Sequence, residues 1–122
     1  MLDFPTKQIR AIKNLLLKQQ KEVEQNIEEI EKDDPAKDKV LAESSEPGTD
    51  SYIADIHTKS LVIQDHLKRI SLSIRSALLK IRKGTYGKCE RCSKQIGALR
   101  LWAMPTARYC LSCSKIKEKL SN

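Results

Sequence analysis

The cysteines constrain this chain more than any other feature. All four form two CxxC pairs, Cys89/Cys92 and Cys110/Cys113, separated by seventeen residues. A CxxC turn aims two thiolates at one point, and two such turns complete a tetrahedron around one metal ion. Zinc is the ion this spacing fits first; an iron–sulfur centre takes the same ligand type. Four sulfurs fill the coordination shell and leave no position for water or substrate, so the expected site is structural and not catalytic. Disulfides are disfavoured, because Met1–Arg10 lacks the apolar stretch of a secretory signal. A thioredoxin-like redox pair needs a strand and a helix around it, and that context is absent.

The flanks of the cysteines suit a small ribbon or knuckle. Gly87 permits a tight turn before Cys89. Ile96, Leu99, Leu101, Trp102 and Met104 lie between the pairs and are expected to cover the metal and dock on helix ends. Trp102 is read as packing, with a partner contact as its alternative. A last helix is expected over about 111–120. So short a module cannot build a core alone and needs its metal to fold.

Helical periodicity dominates the remainder. Ile53, Ile56, Ser60, Ile63, Leu67, Ile70, Ile74, Ala77 and Ile81 are spaced alternately by three and four residues, a heptad seam with no Pro or Gly inside it. At 1.5 Å per residue this is a rod of roughly 43 Å. Gly84 follows and can end the helix in a left-handed cap. A weaker seam, Ile9, Ile12, Leu16, Val23 and Ile30, predicts a first helix over about 6–32, with Thr6 as a candidate N-cap. Gln19 and Asn26 occupy two of its seam positions and are read as buried amides that fix register.

Between the two helices lies residues 33–51, with Pro35, Pro47 and Gly48 as breakers. It carries Asp33, Asp34, Asp38, Glu43, Glu46 and Asp50, and a short extra helical turn is conceivable over 36–42. Two rods of similar length joined in this way are expected to fold back as an antiparallel hairpin. An intermolecular coiled coil is the alternative. The expected fold is therefore mainly α: an antiparallel coiled-coil hairpin over residues 1–83, with a tip loop at about 33–51, and a four-cysteine module with a terminal helix over 84–122. A coiled coil and a metal would replace a large core. That agrees with a chain holding one Trp, one Phe and 32% charged residues. The two histidines, His57 and His66, are nine apart and do not make a helical metal pair; they are read as surface or flank residues.

Net charge is +7 over 122 residues, but it is unevenly divided. Residues 1–34 carry a net −2, residues 35–57 a net −3, and residues 58–122 a net +12. Such asymmetry points to two electrostatic roles, against the plainer reading of a solvated, Lys-rich surface. No apolar run approaches the ~20 residues of a membrane span, and a cytoplasmic monomer is the default expectation.

The run Gly84–Ser114, GTYGKCERCSKQIGALRLWAMPTARYCLSCS, resembles the bacterial DksA/TraR zinc-finger family. The matching features are GTYGxCxxC, the pair Ile96-Gly97, the pair Arg100-Leu101, and PTARxCxxC from Pro105 to Cys113. A long coiled-coil hairpin before the finger is also the family's architecture. The resemblance implies a zinc-containing regulator of transcription that binds RNA polymerase directly. It implies that the coiled coil enters the secondary channel and that acidic tip residues act near the catalytic magnesium. Some members of the family work with ppGpp. For this chain the cations near the rod base, among them Arg91 and Lys115, are only a weak pointer to ppGpp.

The chain departs from the family at two places. It has no DxxDxA at the tip. The acidic position counted back from Cys89 falls at about Thr49, so Asp50 is the first candidate for the acting carboxylate, followed by Glu46 and Asp55. These three could equally be solvated turn residues. Ser93 stands where the family often has Gly, and Ser is tolerated there if its backbone avoids positive φ. For the contact with an acidic channel rim, Arg75, Lys80, Arg82 and Lys83 are the candidates.

Two other functions compete. A nucleic-acid-binding zinc module would use the net +12 of residues 58–122, but aromatics for base stacking are scarce and direct DNA binding is not expected. A zinc- or thiol-responsive stress sensor would need a labile metal. An enzyme is not expected: no nucleophile–base arrangement, phosphate loop or open metal site is legible.

Overall fold

The computed structural model of the chain describes residues 6–34 and 49–121. Four helices carry them: α1 (Thr6–Lys32), α2 (Thr49–Lys83), α3 (Ala98–Ala103) and α4 (Leu111–Ser121). The fold is mainly helical, a coiled-coil hairpin with a four-cysteine module and a C-terminal helix. Among the described residues no helix is long and apolar enough to cross a membrane. The turn expected at 36–42 lies outside the described residues, as does Glu46. α2 begins at Thr49, so Asp50, expected in the loop, lies in its first helical turn.

By compactness the chain forms two units. One comprises Gln20–Leu72, the other Met1–Gln19 together with Ser73–Asn122. Each is described by itself.

In the unit Gln20–Leu72, α1 and α2 run antiparallel. Asp34 lies against His57, and Gln20 lies against Ser71; one number rises as the other falls. The contact face of α2 here is polar at its centre. Ser60, Gln64 and Ser71 are buried, while Ile63 is 48% exposed. The apolar seam expected at Ile63 is thereby corrected, with Gln64 in its place. The cause is hydrogen bonding. Gln64 donates from Nε2 to Ser60 Oγ at 3.1 Å, and Gln20 donates to Ser71 Oγ at 2.9 Å. Polar groups that satisfy one another can be buried, and turning this edge inward turns Ile63 out. The expected register amides change as well. Asn26 is exposed and Gln19 only half-buried; Gln20 makes the interhelical bond.

In the other unit the helices bury Ile12 and Leu16 of α1 and Ile74 and Ala77 of α2. Here the seam follows the expected positions. α2 ends in the expected left-handed cap. Gly84 has φ +79°, its N–H donates to Ile81 O, and Thr85 N–H donates to Lys80 O at 2.9 Å. This pair of bonds is the Schellman arrangement, which satisfies carbonyls that a helix end leaves without partners.

Candidate metal centre

The chain leaves α2 through Gly84 and turns at once into the cysteine module. Gly87, at φ +87°, supplies the left-handed turn. Lys88 and Gln95 pair in an antiparallel bridge, and Ile96 N–H donates to Gly87 O at 2.8 Å. Inside that bridge Cys89 N–H donates to Lys94 O, and Ser93 N–H donates to Cys89 O. The resulting tight loop holds Cys92 beside Cys89. The second pair is placed by a helix. Cys110 immediately precedes α4, Cys113 falls in its first turn, and Ser114 N–H donates to Cys110 O at 2.8 Å. The two halves are tied by Glu90 N–H to Arg108 O at 2.9 Å and by Arg100 Nε to Tyr109 O at 3.0 Å. Tyr86 is buried, and its hydroxyl donates to Pro105 O at 2.8 Å. Burial pushes the Tyr86 phenol up to about 12, so it remains a donor.

The four sulfurs all lie within 4.8 Å of one another, and Cys92 and Cys110 are 3.8 Å apart. A tetrahedron of ~2.3 Å Zn–S bonds has edges of about 3.8 Å. The donor set therefore fits one zinc ion. Electrostatics point the same way. Burial raises the Cys89 thiol, but backbone N–H groups of Cys92, Cys110 and Arg91 outweigh it and bring it to about 6. The backbone of Cys113 lowers Cys110. Cys113 goes the other way, pushed to about 12 by the Cys110 side chain and by burial. Four sulfurs this close can all be thiolates only with a cation among them to balance the charge. All four cysteines are needed as ligands, which makes this a closed, structural site.

A second cluster braces the finger. Glu90 accepts from Lys80 Nζ at 2.7 Å and from Arg108 through Nη2 at 2.7 Å and Nε at 2.9 Å. Arg108 above all, with Lys80, brings the Glu90 carboxyl down to about 2 against the opposing effect of burial. On α4, Lys117 lies 4.5 Å from the Tyr109 ring centroid and donates to its hydroxyl.

The other sequence candidates are distributed as follows. Asp50 is exposed in the first turn of α2. Asp55 is exposed and pairs with Lys59 at 3.1 Å within the helix. Arg75, Arg82 and Lys83 are exposed, the first two sharing a helix face at a separation of seven. Lys80 is engaged with Glu90. Asp34, one of the carboxylates between the two long helices, has a buried side chain, and its Oδ2 lies 2.5 Å from His57 Nδ1. With Asp34 ionised, Nδ1 is the donor. Nothing local in the sequence signals this pair across 23 residues. Ser93 fails its condition, since its φ is +65°. The apolar cover between the cysteine pairs is likewise only half as expected. Ile96 and Leu101 are buried, whereas Leu99, Trp102 and Met104 are exposed.

A helical hairpin that ends in a closed four-thiolate finger defines a small class of zinc proteins. Residues 84–119 match the prokaryotic dksA/traR C4-type zinc finger. The chain is 40% identical over 84 residues to a protein of Aquifex aeolicus, covering 65% of this chain and 57% of that protein. Over 55 residues it is 34% identical to the RNA polymerase-binding transcription factor DksA of Escherichia coli, covering 45% of this chain and 36% of that one. The chain thus spans between one-third and three-fifths of these relatives. A solved structure of the transcription factor DksA2 from Pseudomonas aeruginosa superposes with a TM-score of 0.82 at 25% identity, covering 95% of this chain and 87% of that chain. Residues 84–119 thus carry the finger of the dksA/traR family, and the fold of the chain is similar to that of DksA2.

Proposed function

We propose that this protein is a cytoplasmic, non-enzymatic regulator of transcription that binds RNA polymerase directly. The hairpin would enter the secondary channel, and the carboxylates at its turn would act near the active site. The observation that carries this reading is likeness along nearly the whole chain to a DksA-type transcription factor, with the finger included. Charge supports it. Asp50 is an exposed carboxylate at the start of α2, and Arg75, Arg82 and Lys83 are exposed cations near its end. A cationic surface favours an acidic rim and orients the encounter. Lys80 is better assigned to bracing the finger, because Glu90 holds it. Among the tip candidates Asp50 ranks above Asp55, which pairs with Lys59.

The test is a pull-down with core RNA polymerase, followed by measurement of promoter-complex lifetime. Wild type and Asp50→Asn should both be retained, and Asp50→Asn should lose the effect on lifetime. Equal regulation by both would move the role away from Asp50. Failure of the wild type to co-purify with polymerase would overturn the assignment.

A further inference from the structure

In the unit Gln20–Leu72, one stripe of α2 is apolar at both ends and charged in the middle. Leu61 and Leu72 are 50% and 62% exposed, and Asp65 and Lys68 between them are exposed as well. Steps of four, three and four residues put all four on one side of the helix. That side is distinct from the face turned to α1, which takes Ser60, Gln64 and Ser71. Val62, 64% exposed, and the exposed Arg69 lie along its edge away from α1. Alternating steps of four and three make this a second heptad seam. No helix among the described residues covers it.

The order of residues along the seam indicates what fits it. From either end it runs Leu, charge, opposite charge, Leu. A two-fold axis between Asp65 and Lys68 therefore sets Leu61 of one chain on Leu72 of a second copy, and Asp65 on Lys68, each pair formed twice. A two-fold interface has to be self-complementary in this way. The same axis brings Val62 beside the Arg69 of the second copy, whose methylenes can cover it. A parallel pair would set Asp65 on Asp65 and Lys68 on Lys68, so like charges select the antiparallel orientation. Asp65 already accepts from Arg69 on its own helix at 3.0 Å, and a carboxylate has acceptor capacity for both cations. An unrelated protein surface would not require the pattern to repeat in reverse, and nucleic acid would be repelled by Asp65.

We propose that Leu61, Asp65, Lys68 and Leu72 form a homodimer surface, on which the α2 helices of two copies pair antiparallel about a two-fold axis. With so few apolar anchors the association is weak and reversible. It is independent of the polymerase assignment above. Sedimentation equilibrium of the full, zinc-loaded chain at concentrations up to about 1 mM tests it. Wild type should show a monomer–dimer equilibrium. Asp65→Lys and Lys68→Asp should each weaken it about tenfold or more, because each turns two attractive pairs into two repulsive ones. The exchanged variant, Asp65→Lys with Lys68→Asp, should restore the dimer to within about threefold of wild type. Leu61→Gln should weaken it without changing zinc content or helical signal, because Leu61 is already exposed. A wild type that stays monomeric throughout overturns the proposal. So does a dimer that both single variants leave within about twofold, or one that the exchange does not restore. If wild type is monomeric and Leu61→Gln loses binding to core RNA polymerase, polymerase covers the stripe and the homodimer is wrong.

Discussion

Ser93 holds a conformation that suits it poorly. A non-glycine residue at φ +65° crowds its Cβ against the backbone, at a cost of about 1 kcal/mol. Ser93→Gly relieves that crowding and loosens the unfolded chain, so the net gain should be at most about 1 kcal/mol. The expected readout is a higher melting temperature with the same zinc stoichiometry. Glu90 is the opposite case, a residue whose partners stabilise its charge. Its folded pKa of about 2 lies below the ordinary 4.5. Its contribution is therefore complete above about pH 4.5 and is lost as pH falls towards about 2. Glu90→Gln should destabilise the finger by about 1 kcal/mol near neutrality, an amount reduced by solvent screening. The difference between wild type and variant should shrink between pH 4.5 and 2, as measured by denaturation of both proteins across that range. The sequence shows that Glu90 is acidic, but its partners lie 10 and 18 residues away and come together only in the folded finger.

At the scale of elements, α1 was the most legible, with its bounds at 6–32 as expected. α2 ends at the expected Gly84 cap but begins at Thr49, ahead of the periodic seam at Ile53 and inside the expected loop. Its charges also suit a helix: Asp50 sits in the first turn, and Lys80, Arg82 and Lys83 lie in the last, each opposing the local end of the macrodipole. The contact face was less legible. The heptad count placed Ser60 on the buried face, where it lies, but passed over the buried Gln64 and Ser71 and placed Ile63 inside. The Gln20–Ser71 bond has a cost, because the side-chain oxygen of Gln20 is buried without a partner. Replacing both residues by apolar ones removes the unpaired atom. The double variant Gln20→Leu with Ser71→Ala should gain about 1 kcal/mol, a few degrees in melting temperature. A lower melting temperature would mean that the polar pair stabilises as well as aligns the helices.

At the scale of the molecule, zinc and the hairpin share the work of a core. All four metal ligands lie in the unit that contains the chain ends, and none lies in Gln20–Leu72. Chelation should therefore melt α3 and α4, of 6 and 11 residues against 27 and 35 in α1 and α2. Helical signal by circular dichroism should fall by about a fifth. Hydrogen exchange should show protection retained in residues 20–34 and 49–72 and lost in the finger. By itself the sequence determined the metal site, the two long helices and the fold class. Each rests on spacing along the chain: two residues between cysteines, and three or four between apolar positions. Only the tertiary structure decided which face of α2 is buried, that Asp34 meets His57, that Lys80 and Arg108 share Glu90, and that Trp102 looks outward. Those outcomes depend on groups far apart in sequence meeting in one place. A one-dimensional pattern does not encode which of several polar or apolar neighbours will find a partner there.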